Sequence, residues 1–399
     1  MNKAADSIYA GKSVVIVIHE HARGGPGDAL RDFLLSRGVS KLLLIGHPLL
    51  YMEQGRKRQS RFELYKQGKL SKEFEAPKFR MSDPLLYIKD FFYTGWWVLT
   101  KGIRSDVFVG IDPLNALSGI FLRQLGYTKC VVYYSIDYFP TRFSNMYLNK
   151  LYHAIDKFCV THADETWNVG SGMADARMLY NNIAGKLRRK QYVVPIGVWL
   201  SKIRVRSFDK INKRKLIYAG HLVDFMGVDL VLRSMKEVIR RFPDATLDIV
   251  GTGEDEKMLK DFVVTLGIQK SVKFYGWMEN REAFNASLSR GSVGLAPFNT
   301  DILDDKVKNA DPGKIKDYMA VGLPVIVTKA INNFKAINDA GAGIVINYSQ
   351  ESFVQAVADL FESKNKLYQY RMNALSYVSQ FDWEIIFNKN LKRVFERII

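Results

Sequence analysis

The sequence has little cysteine: Cys130 and Cys159 are the only two in 399 residues. That excludes a disulfide framework, and their separation fits no metal-ligand spacing, so a reducing, cytoplasmic setting is expected. Long apolar runs are also missing. The longest, Phe91 to Thr100, lies between Asp90 and Lys101 and falls short of the roughly 20 residues that a bilayer-spanning helix needs. Met1 to Lys12 are too polar to suggest a secretory leader. There is no Gly-flanked RNA-binding signature, zinc spacing or recognition-helix pattern, so nucleic acid is not an expected partner. Acidic side chains are outnumbered, 41 Asp and Glu against 58 Lys and Arg, for a net charge of +17. The 47% hydrophobic and 25% charged fractions are those of a globular protein, and the length suffices for two domains with separate cores.

The surplus of cations is uneven: +11 over residues 1–200 and +6 over residues 201–399. It is densest from Arg56 to Arg80, in "GRKRQSRFELYKQGKLSKEFEAPKFR". Next comes "DPLLYIKDFFYTGWWVLTKGI", rich in large apolar side chains including Trp96 and Trp97. Basic residues beside exposed aromatics suit an anionic leaflet. A solvated loop followed by an ordinary core helix is the plainer alternative. Peripheral contact of residues 56–101 with the inner face of the cell membrane is therefore an expectation.

Alternating strand and helix patterns dominate the chain. Val14 to Ile18 form a continuous apolar run, as a strand covered on both faces requires. Gly24, Gly25 and Gly27 break it, and Asp28 to Arg37 have helical spacing. Further strands are expected at Leu42–Ile45, Val107–Ile111, Cys130–Ile136, Glu165–Val169 and Tyr192–Val194. The pattern restarts at "KLIYAGHLVDFMGVDLVL" and continues through "LDIVGTGEDEKMLK", "VKFYGW", "GSVGLAPF" and "PVIVT". Such alternation indicates two parallel α/β sheets in series. A basic, irregular stretch from Leu200 to Arg214 is the natural linker, giving domains at 1–205 and 206–378 and a closing segment at 379–399.

"DPGKIKDYMAVGLPVIVT", Asp311 to Thr328, places a Pro-Gly turn and Lys314 at the start of a helix. Helix starts attract anions through unpaired N–H groups and the macrodipole. Asp317, one turn beyond Gly313, suits a diol. Phosphate on one side and hydroxyls on the other suggest a nucleotide. An ordinary helix–strand unit with solvated charges is the alternative.

The second half resembles the nucleotide-sugar domain of GT-B glycosyltransferases, especially family 4. The motifs that carry this are "YAGHLVDFMGVDLVL", "LDIVGTGEDEKMLK", "VKFYGWM" and "PGKIKDYMAVGLPVIVT", in that order over about 110 residues. The first half is similar only in architecture and in its glycine-rich loop, where Gly25 lies. "FDWEIIFNKNLKRVFERII" looks like the family's last helix, which returns to the first domain. The resemblance implies an α/β fold of two Rossmann-like domains facing a central cleft. It also implies a nucleotide diphosphate sugar as donor substrate, with no cofactor and no bound metal. The acidic cluster Asp301, Asp304 and Asp305 has no partner motif that would argue otherwise.

The departures from the family pattern fall at the diphosphate. Its usual Arg and Lys are His221 and Met226 here, and the glutamates of its Glu-x7-Glu pattern fall on Asn309 and Asp317. Charge-assisted contacts are worth roughly 1.5–3 kcal/mol each, so a replacement is expected. Lys314 is the best placed, with Lys306 and Lys308 in support; a lysine in this turn also resembles the distant glucuronosyltransferase family 70. Gly251 and Gly253 are expected to let backbone approach the ligand. Gly313 opens the helix, and Trp277 and Met278 follow the strand where family members read the base.

Transfer also needs a base for the acceptor hydroxyl. Asp137 in "VVYYSIDYFP" ends a strand and ranks first; Asp112 in "FVGIDPLNA" and His19 in "VIVIHEHARGG" are its competitors. The sequence thus reads as a metal-independent hexosyltransferase of polysaccharide biosynthesis, acting on a lipid-linked or envelope-glycan acceptor. A sugar-nucleotide epimerase and a non-catalytic nucleotide-sugar or glycan-binding subunit are the alternatives.

Overall fold

The computed structural model describes residues 8–20, 25–50, 57–181, 183, 185–302 and 311–398. It divides into two compact units, Met1–Pro195 with Trp383–Ile399, and Ile196–Asp382. The first unit ends at Pro195, ahead of the basic stretch read as the linker.

The first unit contains β1 (Ser13–Glu20), α1 (Pro26–Ser36), β2 (Lys41–Pro48), β3 (Arg61–Lys66), β4 (Lys69–Glu75), α2 (Asp83–Thr100), β5 (Ser105–Ile111), α3 (Pro113–Gln124), β6 (Thr128–Ser135), α4 (Met146–His162), β7 (Glu165–Asn168), α5 (Gly172–Asn181) and β8 (Gln191–Val193). Its described strands form one sheet in the order β4-β3-β2-β1-β5-β6-β7-β8. Val14 to Ile18 are buried on both faces, as their unbroken apolar run requires in a parallel sheet. The order reverses between β1 and β5, so a crevice opens beyond their carboxyl ends.

One part of this unit departs from the expectation. The basic run, where no strand was expected, contains a hairpin, β3 and β4, joined antiparallel to β2. Phe62 and Leu64 alternate inward along it. Gln67 and Gly68 turn it, both at positive φ (49° and 75°), the turn whose twist matches the strands. Arg61 is consequently buried, ion-paired with Glu20 at 2.7 Å and with Glu63. It is not a lipid-facing cation.

The second unit contains β9 (Lys215–Ala219), α6 (Val228–Arg241), β10 (Thr246–Val250), α7 (Glu256–Thr265), β11 (Val272–Phe274), α8 (Arg281–Leu288), β12 (Val293–Ala296), α9 (Gly313–Ala320), β13 (Val325–Thr328), α10 (Phe334–Asp339), β14 (Gly343–Ile346), α11 (Gln350–Phe361) and α12 (Lys364–Val378). Its sheet, all parallel, has the order β11-β10-β9-β12-β13-β14. This is the doubly wound 3-2-1-4-5-6 arrangement, with its reversal between β9 and β12. One apolar cluster joins Leu216, Val231 and Phe353, and another joins Ile217, Tyr318 and Val327.

The last helix, α13 (Trp383–Glu396), packs in the first unit as expected. Phe387 lies against Phe33 and Phe395 against Tyr9, at ring separations of 5.6 and 5.2 Å. Arg393 donates twice to the fully buried Glu165, at 2.9 and 2.8 Å, and Arg397 lies 3.0 Å from it. Among the described residues no helix is long and apolar enough to cross a membrane.

Candidate donor and acceptor sites

In the second unit the loops after β9 and β12 meet the start of α9 at the point where the strand order reverses. Helix α9 begins after Pro312 with no side-chain cap, which leaves its first N–H groups available. Lys314 folds back from this turn. Its ammonium lies 4.8 Å from the Tyr218 ring centre, 4.9 Å from that of Phe298 and 3.2 Å from Met226 Sδ. It sits so close to Gly220 that a Cβ there would be 2.9 Å from Nζ. Among the described residues no carboxylate pairs with it, and burial lowers its pKa from 10.5 to about 7. The aromatic faces offer only cation–π attraction, and thioether sulfur is a weak acceptor. The expected replacement for the missing cations is therefore beside Met226, one of the two positions that lack them. Partial desolvation of the His221 ring, then the charge of Lys314, lowers its pKa.

Asp317 is not free. Arg281 at the start of α8 grips both of its carboxylate oxygens. Burial pushes the Asp317 pKa up, against the pull of Arg281. Lys316 points elsewhere, to Asp311 and to the carbonyl of Ile196 at 2.6 Å. Gly251 and Gly253 lie against neighbouring backbone. A Cβ on Gly251, whose φ is +135°, would stand 1.9 Å from the Gly220 oxygen, and one on Gly253 2.1 Å from that of Leu222. The glycines are needed because the β9 loop packs against the β10 loop. Trp277 is exposed, and Met278 packs on the apolar cluster of Tyr318. Asn309, Lys306, Lys308, Asp304 and Asp305 lie outside the described residues.

In the first unit two of the three candidate bases meet. His19 ends β1 and Asp112 follows β5, and the two meet: Nδ1 lies 2.5 Å from Oδ2. Asp112 also caps α3, accepting from the Asn115 N–H at 3.1 Å, and takes the strained φ of +87° to do so. The other ring nitrogen of His19 faces Asp90 of α2 at 3.5 Å, and Asp90 is 3.3 Å from His47. Two carboxylates outweigh burial and raise the His19 pKa to about 10, so its surroundings favour the charged ring. Asp137, two residues past β6, accepts from Arg142 at 2.7 Å, and burial pushes its pKa up against that arginine. Gly25 is the N-cap residue of α1, with extended backbone and Pro26 following. Among the described residues no group of three or more His, Cys, Asp or Glu could hold a metal ion.

Residues 213–363 match the family model described as "Glycosyl transferases group 1". The match lies within the second unit and spans less than half of the chain. An uncharacterised glycosyltransferase of Haemophilus influenzae is 29% identical over 117 residues, 29% of this chain and 30% of that relative. The matching stretch thus spans less than a third of the relative's own length. Sucrose-phosphate synthase of Thermosynechococcus elongatus superposes with a TM-score of 0.70 at 13% identity, covering 97% of this chain and 99% of that one. HepE of Anabaena in complex with UDP-glucose does so with 0.67 at 14%, covering 97% and 100%. These two likenesses establish the GT-B fold.

Beyond the group 1 motifs, Arg281, Arg142, Asn115 and Asp90 went unremarked in the sequence. Asp90 had a signal. It is a carboxylate inside "YIKDFFYTGWW", on the same helical face as Thr94 and Trp97, and all three are buried. Arg142 and Arg281 had none, because each is defined by the carboxylate it meets in space.

Proposed function

We propose that this protein transfers a hexose from a nucleotide diphosphate sugar to a hydroxyl of a lipid-linked or envelope-glycan acceptor. The reaction runs at the cytoplasmic face of the membrane without a metal, in polysaccharide biosynthesis. The observation that carries this is the Lys314 ammonium, which meets no carboxylate among the described residues, beside the start of α9 with no side-chain cap, a pair of features that suits a diphosphate. HepE, of the same fold, is known with UDP-glucose. Asp317, already oriented by Arg281, accepts the ribose hydroxyls; Gly313 lends its N–H, and the backbone at Trp277 and Met278 meets the base.

Asp137 takes the proton of the acceptor hydroxyl as that oxygen bonds to the anomeric carbon. The bond from that carbon to the diphosphate breaks, and its electron pair leaves with the nucleoside diphosphate, whose charge Lys314 meets. The His19–Asp112 pair stands beside Asp137, with the ring held through Nδ1.

The test is a thermal-shift screen with UDP, GDP, ADP and their sugars, then titration of wild type and Lys314→Ala with the nucleotide that responds. Loss of one charge-assisted contact predicts about thirtyfold weaker binding. Equal affinities would remove Lys314 from the site, and no response to any nucleotide would end the reading. His221 and Met226, in place of the family's Arg and Lys, favour a second reading, a silent nucleotide-sugar-binding subunit. Tight binding with neither transfer nor hydrolysis would select it.

A further inference from the structure

The two faces of α2 differ in kind. Asp90, Thr94, Trp97 and Val98 are buried, and Asp90 faces His19 and His47. On the other side Leu85, Ile88, Phe92, Trp96 and Leu99 are 50, 51, 66, 63 and 41% exposed. Spaced by three and four residues, they fall within one narrow arc of the helix and form a stripe of roughly 20 Å. Phe121 of α3, also exposed, widens it through Phe91, 5.8 Å from ring to ring. No charge interrupts it, because Lys89 and Asp90, the only charges after Asp83, pair with each other at 2.8 Å. Its two ends are cationic: Lys78 and Arg80 precede the helix and Lys101 and Arg104 follow it.

We propose that α2 is an interfacial helix that lies in the plane of an anionic bilayer, with this stripe among the acyl chains and the flanking cations on the headgroups. A continuous apolar face with basic ends and no spanning length fits a lipid surface. It fits a second copy of the chain poorly: pairing two such stripes, parallel or antiparallel, sets cationic ends against each other. The docking element is thus α2, in place of the basic run that precedes it. The proposal rests on the membrane-surface acceptor read above for its purpose, and adds a consequence. Because the reverse face of α2 holds Asp90 against His19, docking sets the candidate acceptor end about one helix diameter, on the order of 10 Å, from the headgroups. The acceptor hydroxyl it serves is therefore close to its lipid anchor.

The experiment is co-sedimentation of the full chain with vesicles of phosphatidylcholine alone, or with about one-third phosphatidylglycerol. It compares wild type with the double variant Phe92→Ser, Trp96→Ser, and follows self-association by light scattering. Wild type should bind the anionic vesicles and release as salt rises, while the variant binds at least about tenfold more weakly. Anionic-vesicle binding that survives the double substitution would overturn the proposal. So would a wild-type dimer that the substitution dissociates, since the stripe would then belong to a second copy. Nucleotide titration on the same variant separates the readings: unchanged affinity with lost vesicle binding assigns the effect to docking alone.

Discussion

At Lys314 a cation is held between two rings, a thioether and glycine backbone, a setting that solvates it poorly. Burial lowers its pKa to about 7 from 10.5, which has two consequences of defined sign. Between those values the unfolded chain keeps a proton there that the folded chain has lost, so the folded state without ligand gains stability as pH rises across that window. Donor binding goes the other way. A diphosphate needs the ammonium, so affinity should fall as pH climbs from about 7, and it levels off once the bound-state pKa is passed. Lys314→Arg, which does not titrate there, should flatten the curve; calorimetric titration from pH 6 to about 9 reads it. For Asp137, Asp137→Asn keeps the shape and removes the basicity, and turnover should drop by roughly 10²–10⁴-fold with donor affinity unchanged. Near wild-type turnover in a folded variant would move the role to Asp112.

Helices in this chain are placed by what they cover. Helix α13 is far in sequence from the sheet it packs on, and its anchor is Glu165, a carboxylate with no exposure. Arg393 supplies two of its bonds and also stacks 3.5 Å from the Tyr192 ring centre. Arg393→Met leaves Glu165 with Arg397 and the Trp167 indole N–H at 2.9 Å. Removing one partner of a buried charge is costly even when others remain, so a loss of about 2–3 kcal/mol is expected in urea unfolding. An unchanged midpoint would mean that Arg397 suffices. At the same scale, the strands with unbroken apolar runs were legible in the sequence, because burial on both faces demands that composition. The β3–β4 hairpin was not. Its inward pair, Phe62 and Leu64, is interleaved with Arg61 and Glu63, charges that are buried only because they pair with each other, with Glu20 and with Arg31.

For the molecule as a whole, the proposed donor contacts come from one unit only. Adding the cognate nucleoside diphosphate should therefore slow hydrogen exchange in peptides covering residues 219–226, 251–253, 276–278 and 311–318. Peptides of the first sheet should not change, because binding protects what it touches and what it orders. Equal protection across both sheets would place the nucleotide elsewhere.

What the sequence by itself determined was the repeated α/β pattern and the order of the donor-domain motifs. Both are local: strand and helix periods, turn glycines and short spacings survive without knowledge of the fold. The place of Lys314 at a helix start was equally visible. Only the tertiary structure decided which groups meet. His19 and Asp112 are 93 residues apart, yet they form one ion pair because β1 and β5 are neighbours at the strand reversal. That contact raises the pKa of a candidate base. It likewise took the folded chain to bring Lys314 against Met226, 88 residues away. Such pairings depend on through-space distance, which no spacing along the chain encodes.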